Sequence, residues 1–329
     1  MNRNGLTDPY RRHLNYLRVS ITDRCNLRCV YCTPRALIPK LRHRDILRYE
    51  ELLRIVRIGV FLGITKIRVT GGEPLVRKGA AHFLSELTAI EALADVSLTT
   101  NGVLLSRHLA ELRDAGVRRI NISLDTLKRE KFAKITGTDR FETVWKGIRD
   151  SLEAGFSPVK INVVALRGIN DDELVDLARL SIDLPVHVRF IEHMPIGQAS
   201  ASKTPLLAPQ IRARIEQLGP LEPVENGMVD GPAERYRLPG AEGEIGLIRP
   251  LSHHFCDRCN RLRLTASGML RPCLLSDDEA DLRTPLRKGL LDEDLKAVFL
   301  QAVSQKPRQH ALADRRKQNV DGQMCAIGG

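Results

Sequence analysis

The sequence predicts an α/β protein, an incomplete (β/α)6 TIM-type barrel followed by a smaller α+β C-terminal domain. Three observations carry this reading. Short β-branched runs alternate with amphipathic helical periods from residue 15 to about residue 192. The residues suited to chemistry fall at the ends of those runs. Beyond residue 200 the texture changes to Pro, Gly, Ala and Ser before strands and helices resume.

The runs YLRVSIT, KIRVTG, VSLTTN, RINISLD, VKINVVAL and VHVRFIE are rich in Val, Ile and Thr, and KIRVTG, VSLTTN and RINISLD close on Gly, Asn or Asp, as strands do. Between them Leu52, Val56 and Val60, then Leu105, Leu109 and Leu112, then Val144, Ile148 and Leu152 recur at the spacing of one helix face. Strand–helix alternation implies a parallel sheet with right-handed crossovers, either open or closed into a barrel. Periodicity alone does not choose. The cysteine loop at residues 25–32, the Gly-Gly-Glu-Pro turn at residues 71–74, Thr99, Ser123 and the segment from Glu192 to Met194 lie at or just after strand C-termini, where a barrel gathers its active site. Six units leave such a barrel open at the side. A boundary is placed at residue 200, giving a barrel domain over 1–200 and a C-terminal domain over 201–329. The latter holds a helix near residues 209–218, strand-like stretches at 234–238, 244–249 and 261–271, and a late helix marked by Leu295, Val298, Phe299 and Ala302.

The 329 residues carry 51 Lys and Arg against 40 Asp and Glu, a formal charge of +11 that favours a polyanionic partner. Aromatic residues make up 4% and are not interleaved with basic ones, which argues against a base-stacking platform for nucleic acid. The first residues lack an apolar core of the secretory kind, and no stretch is long enough to span a membrane, so a cytoplasmic protein is expected. Six of the seven cysteines form two compact groups, the usage of metal ligands in a reducing compartment and not of a disulfide framework. The seventh, Cys325, is read as a bystander.

Cys25, Cys29 and Cys32 form Cys-x3-Cys-x2-Cys with Tyr31 just before the last. A four-iron cube takes four ligands, so three thiolates leave one iron open to a small molecule. Zinc is the alternative, although zinc knuckles favour paired two-residue spacings. Cys256, Cys259 and Cys273 form a second trio, with zinc again an alternative and His253 or His254 as a fourth ligand. Arg261 and Arg263 alternate along the following strand, so both point to one face.

The first trio and the Gly-Gly-Glu-Pro turn resemble the radical S-adenosylmethionine superfamily. Over nearly its whole length the chain resembles the GTP 3′,8-cyclase family of molybdenum cofactor biosynthesis, through LRVSITDRCNLRCVYC, KIRVTGGEPLVRK, LTTNG, INISLD, VKINVV, RFIEHMPIG, CDRCNRLRLT with Cys273, and the terminal Gly-Gly. The resemblance implies two 4Fe-4S clusters, one on Cys25, Cys29 and Cys32 and one on Cys256, Cys259 and Cys273. It places S-adenosylmethionine against Tyr31, Gly72, Ser123 and Met194. It places GTP against Arg18, Arg68, Thr99, Lys160, Arg261 and Arg263, with Arg189 and Lys66 as further candidates. It brings Gly328 and Gly329 to the active site as a flexible tail. The implied reaction is hydrogen abstraction from ribose carbon 3′ and attack of that carbon on guanine carbon 8. The implied partners are a flavodoxin- or ferredoxin-type electron donor and a cyclic pyranopterin monophosphate synthase receiving the product, with room for a homodimer. Thr33 and Arg11 depart from the family pattern, the latter at a position commonly glycine, and altered local packing is expected there. Two rivals stand beside this reading: a peptide-maturing radical enzyme and a zinc-stabilised nucleic-acid-binding protein.

Overall fold

The computed structural model describes residues 5–32, 40–197, 205–225, 227, 231–310, 312, 320–321 and 323–328. Six strand–helix units run in chain order. They are β1 (Tyr16–Ser20) and α1 (Tyr49–Phe61); β2 (Lys66–Thr70) and α2 (Ala80–Thr88); β3 (Asp95–Thr100) and α3 (Leu105–Asp114); β4 (Arg119–Ser123) with α4 (Arg129–Thr136) and α5 (Phe141–Glu153); β5 (Val159–Ala165) and α6 (Leu174–Asp183); and β6 (Val186–Glu192) with α7 (Ala208–Ile215). Neighbours in sequence are neighbours in the sheet, and all five pairings are parallel. All six expected strands form.

The later strands are β7 (Glu222–Val224), β8 (Glu234–Arg237), β9 (Glu244–Ile248), β10 (Arg261–Leu264), β11 (Met269–Arg271) and β12 (Ala280–Asp281). Helices α8 (Arg283–Arg287), α9 (Asp292–Ser304) and α10 (Met324–Ile327) follow. These strands do not make a sheet of their own. The order β12-β11-β10-β1-β2-β3-β4-β5-β6-β9-β8-β7 is one sheet of 12 strands. Strand β10 pairs parallel with β1 and β9 parallel with β6, so the C-terminal part extends both edges. Edges left bare by six units are thereby covered.

Side-chain alternation explains why this sheet holds a polar interior. In β1 and β2, Leu17, Val19, Ile67 and Val69 are fully buried in the apolar core that includes α1 and α2. The alternate positions Arg18, Arg68 and Thr70 face the other way, into the chamber described below. The same rule sends Ile120, Ile122, Ile161 and Val163 to the core and Ser123 and Asn162 to the chamber. In α5, Val144 and Ile148 are buried as their spacing requires. Arg11, standing where the resembled family commonly has glycine, has φ of 62° and is, among the described residues, the one non-glycine residue with positive φ. That left-handed conformation costs an L-residue about 1 kcal/mol and accounts for the family's glycine. Thr33 lies outside the described residues.

Candidate active site

Both cysteine trios line one cavity of about 300 Å³ on the inner face of the sheet. Each trio sits on a loop whose ends are fixed by the sheet. The first follows β1, and the turn after β2 holds it: Gly72 donates its N–H to the Thr22 carbonyl (2.6 Å) and Glu73 to that of Arg24 (2.7 Å). A Cβ on Gly72 would lie 2.4 Å from the Arg24 carbonyl oxygen, and one on Gly71 2.7 Å from that of Thr22. The glycine pair is therefore required by the packing of the cysteine loop, a different reason from the ligand approach its family role suggests. Glu73 is buried beneath this junction and accepts from the Leu75 N–H (3.0 Å), the Thr100 hydroxyl (2.8 Å) and the Asn101 N–H (2.6 Å). Burial lifts its carboxyl to about 7, with these bonds pulling the other way.

The thiols sit in surroundings suited to coordinated sulfur. Cys25 accepts from the Leu27 N–H (3.4 Å) and from the Asn101 side chain (3.6 Å). In the second trio, backbone N–H groups of His310, Arg261 and Leu275 reach Cys256, Cys259 and Cys273 respectively. Such donors to sulfur are a lever on cluster potential. Burial pushes Cys29 well up and Cys256 to about 11; for Cys32 a hydrogen bond with Cys325 acts first and burial second. Cys259 alone of the six is lowered: burial raises it, but Lys306 and Arg261 outweigh burial. Among the described residues no three His, Cys, Asp or Glu side chains converge on a single-ion position. Thiolates of a cube bind separate irons at its corners and need no common point, so the trios fit clusters. His253 turns outward toward Glu234 (3.9 Å), while His254 lines the cavity, its ring edge-on to His310.

Between the trios the wall is cationic. Register places Arg263, Arg18 and Arg68 side by side on β10, β1 and β2. With Arg261 and Arg189 they put five guanidinium groups on the cavity. Burial draws Arg18 down to about 10 and Arg189 and Arg263 well down, and neighbouring arginines add to this in all three. Tyr16 stands among them: burial raises its phenol, but Arg68, Arg18, Lys66 and Arg261 prevail and bring it to about 8. So dense a set of buried cations asks for a polyanion. Buried polar atoms without a hydrogen-bond partner among the described residues, Thr99 Oγ1, Asn162 Oδ1 and Arg189 Nε, mark the same wall.

The expected residues Tyr31, Gly72, Ser123, Met194, Arg18, Arg68, Thr99, Arg261 and Arg263 are all brought to this cavity. Lys160 is not. It lies in a small adjoining pocket with His187, Arg189 and Glu244. Lys66 is also withheld, paired with Asp95 (3.6 Å) and lying 4.9 Å from the Tyr16 ring centre. Of the two further candidates, Arg189 is the one at the wall. Gly328 is anchored: its carbonyl accepts from Arg263 Nη1 (2.7 Å), and the residue caps the C-terminus of α10. Gly329 lies outside the described residues. Cys325 lines the cavity beside Cys32, with which it shares a hydrogen bond. Asp125 went unforeseen; it accepts from the Tyr31 hydroxyl (2.7 Å) and the Val164 N–H (2.8 Å), and burial raises its carboxyl to about 6. Its place as the closing residue of the run RINISLD, just past a strand C-terminus, was the available signal.

A parallel sheet with a three-cysteine loop after its first strand and a Gly-Gly-Glu-Pro turn after its second defines a radical S-adenosylmethionine protein. Residues 19–181 match the family described as Radical SAM superfamily, and residues 186–312 match Molybdenum Cofactor Synthesis C. The chain is 50% identical over 325 residues to the GTP 3′,8-cyclase of Moorella thermoacetica, covering 98% of this chain and 100% of that one. It is 47% identical to the GTP 3′,8-cyclase of Geobacter sulfurreducens, covering 98% and 99%. The chain belongs to the GTP 3′,8-cyclase family. Among solved structures, Streptococcus suis SuiB bound to S-adenosylmethionine superposes with a TM-score of 0.62 at 15% identity, over 93% of this chain and 69% of that one, a likeness of fold alone.

Proposed function

We propose that this protein is a GTP 3′,8-cyclase that forms (8S)-3′,8-cyclo-7,8-dihydroguanosine 5′-triphosphate, the first step of molybdenum cofactor biosynthesis. The observation that carries the reading is that two cysteine trios and five arginines share one cavity. When bound, the clusters and S-adenosylmethionine supply the one-electron cleavage that gives a 5′-deoxyadenosyl radical.

The remaining work belongs to the chain. Tyr31, Gly72, Ser123 and Met194, grouped near the first trio's strand ends, are assigned to S-adenosylmethionine. Arg18, Arg68, Arg261 and Arg263 are assigned to the triphosphate, because guanidinium forks match phosphate oxygens and their row can grip several at once. Thr99, with its unpartnered hydroxyl, is assigned to the same substrate; Lys160 acts from behind Arg189. Ribose carbon 3′ and guanine carbon 8 belong to one molecule, so holding both ends of GTP turns the ring closure into a matter of orientation. The Gly328–Gly329 tail closes the cavity against water while radicals persist.

The proposal keeps the boundary at residue 200, a cytoplasmic location, a flavodoxin- or ferredoxin-type donor, transfer of the product to cyclic pyranopterin monophosphate synthase and assembly as a homodimer. Among the described residues no helix is long and apolar enough to cross a membrane. The test is anaerobic reconstitution with about eight irons per chain, the content of two cubes, followed by incubation with GTP and S-adenosylmethionine. Cys25→Ala abolishes 5′-deoxyadenosine, whereas Cys256→Ala retains it and loses the cyclised nucleotide. A colourless protein holding zinc, or cyclised product from Cys256→Ala, would sink the reading.

A further inference from the structure

The second trio is strapped by a short segment, residues 306–310, that the proposed chemistry leaves unused. Lys306 follows α9 and is 3% exposed. Its ammonium donates to the Arg261 carbonyl (2.9 Å) and to the Pro272 carbonyl (2.5 Å). The first carbonyl lies two residues after Cys259 and the second immediately before Cys273, so one nitrogen ties together the two chain segments that carry these ligands. The carbonyls of Pro307 and Arg308 accept from Arg12 (2.7 and 3.0 Å), which also donates to the carbonyl of Cys256 (2.7 Å). The third ligand is thus joined to the same strap.

The two cations differ in one respect. Arg12 is paired with buried Asp8 at 2.5 Å, so its charge is met locally. Lys306 has no ion pair among the described residues. A buried cation facing only carbonyls is costly unless an anion stands near, and the nearby anion on offer is the ligated thiolate trio.

Resting on the two-cluster reading, we propose that Lys306 is a positioning residue for the second cluster, fixing the segments of Cys259 and Cys273 and stabilising the added negative charge of the reduced cluster. Removing the charge while keeping the bulk disfavours reduction at that cluster and leaves the first, held by the other loop, alone.

The experiment is a potentiometric titration of the full-length, anaerobically reconstituted protein followed by electron paramagnetic resonance. Lys306→Met is compared with wild type and with Lys306→Arg. At the wild-type midpoint, the ratio of reduced to oxidised second cluster falls about tenfold in Lys306→Met, a shift of about 59 mV for a one-electron couple. The first cluster keeps its potential, and Lys306→Arg stays near wild type. A Lys306→Met protein with full iron content and an unshifted second cluster overturns the proposal. If Lys306→Met loses the second cluster's iron, recovery of that iron in Lys306→Arg supports the proposal, and failure to recover it overturns it. A wild-type protein without iron at the second trio would instead sink the two-cluster reading itself.

Discussion

Freeing the C-terminal tail should uncouple radical generation from ring closure. The perturbation is Arg263→Ala, set beside deletion of Gly328 and Gly329. Arg263 Nη1 donates to the Gly328 carbonyl at 2.7 Å from a buried position. A hydrogen bond from a charged donor contributes about 1.5–3 kcal/mol. Its loss therefore opens the tail by a factor of about 10 to 150, at about 1.4 kcal/mol per decade. Amide hydrogen exchange at residues 324–328, measured by mass spectrometry, reads this directly: protection in α10 falls at least tenfold in Arg263→Ala. Product analysis gives the functional arm, with 5′-deoxyadenosine retained in both variants and the cyclised nucleotide lost. Unchanged exchange in α10, or normal cyclisation after deletion of the two glycines, would refute the reasoning, since either outcome means that the contact does not hold the cavity closed.

Gly72→Ala places a Cβ 2.4 Å from the Arg24 carbonyl oxygen. The cysteine loop must move, and the variant is expected to incorporate about half the wild-type iron, the second cluster's share, as measured by iron assay with the fold checked by circular dichroism. A full iron complement would show that the loop tolerates the methyl group. A second expectation concerns pH. Burial raises Glu73 to about 7 and Asp125 to about 6, both above the ordinary carboxyl range. Between pH 4 and 7 the folded chain then holds protons that the unfolded chain has released, so stability is full below that window and declines as pH rises through it. The decline is on the order of 3 kcal/mol per group as an upper bound. Urea unfolding of the cluster-free protein at pH 5 and pH 8 checks it; Glu73→Gln should flatten the slope, and an unchanged slope would remove Glu73 as its source.

The barrel strands were legible because their signal is local. Leu17 and Val19, Ile67 and Val69, Ile120 and Ile122, and Ile161 and Val163 each stand two positions apart within one run. The same alternation placed Arg261 and Arg263 on one face, and the cavity bears that out. The sheet edges were not legible. Pairing of Leu17 with Leu262 joins residues far apart in the chain, and no periodicity in either run names its neighbour. Depth was hidden as well. Lys160 and Arg189 look alike as basic residues in strands, yet only Arg189 reaches the main wall, because Lys160 sits two positions before Asn162, nearer the start of β5. Cys325 looked isolated by spacing, and only folding of the tail carries it to Cys32. The place of the glycine pair was legible, but its close approach to the protein's own cysteine loop was not.

The unbroken run of strands from β12 to β7 has a mechanical consequence. Cys259 precedes β10, Cys273 follows β11, and the loop of Cys25 leaves β1, which is laced to β10 along four residue pairs. The two redox centres are thus mounted on adjoining staves of one cask and not on hinged halves. Substrate entry cannot draw them together by swinging one lobe against another. The spacing between the trios is set when the polypeptide folds, and what is left to change is the occupant of the space between them.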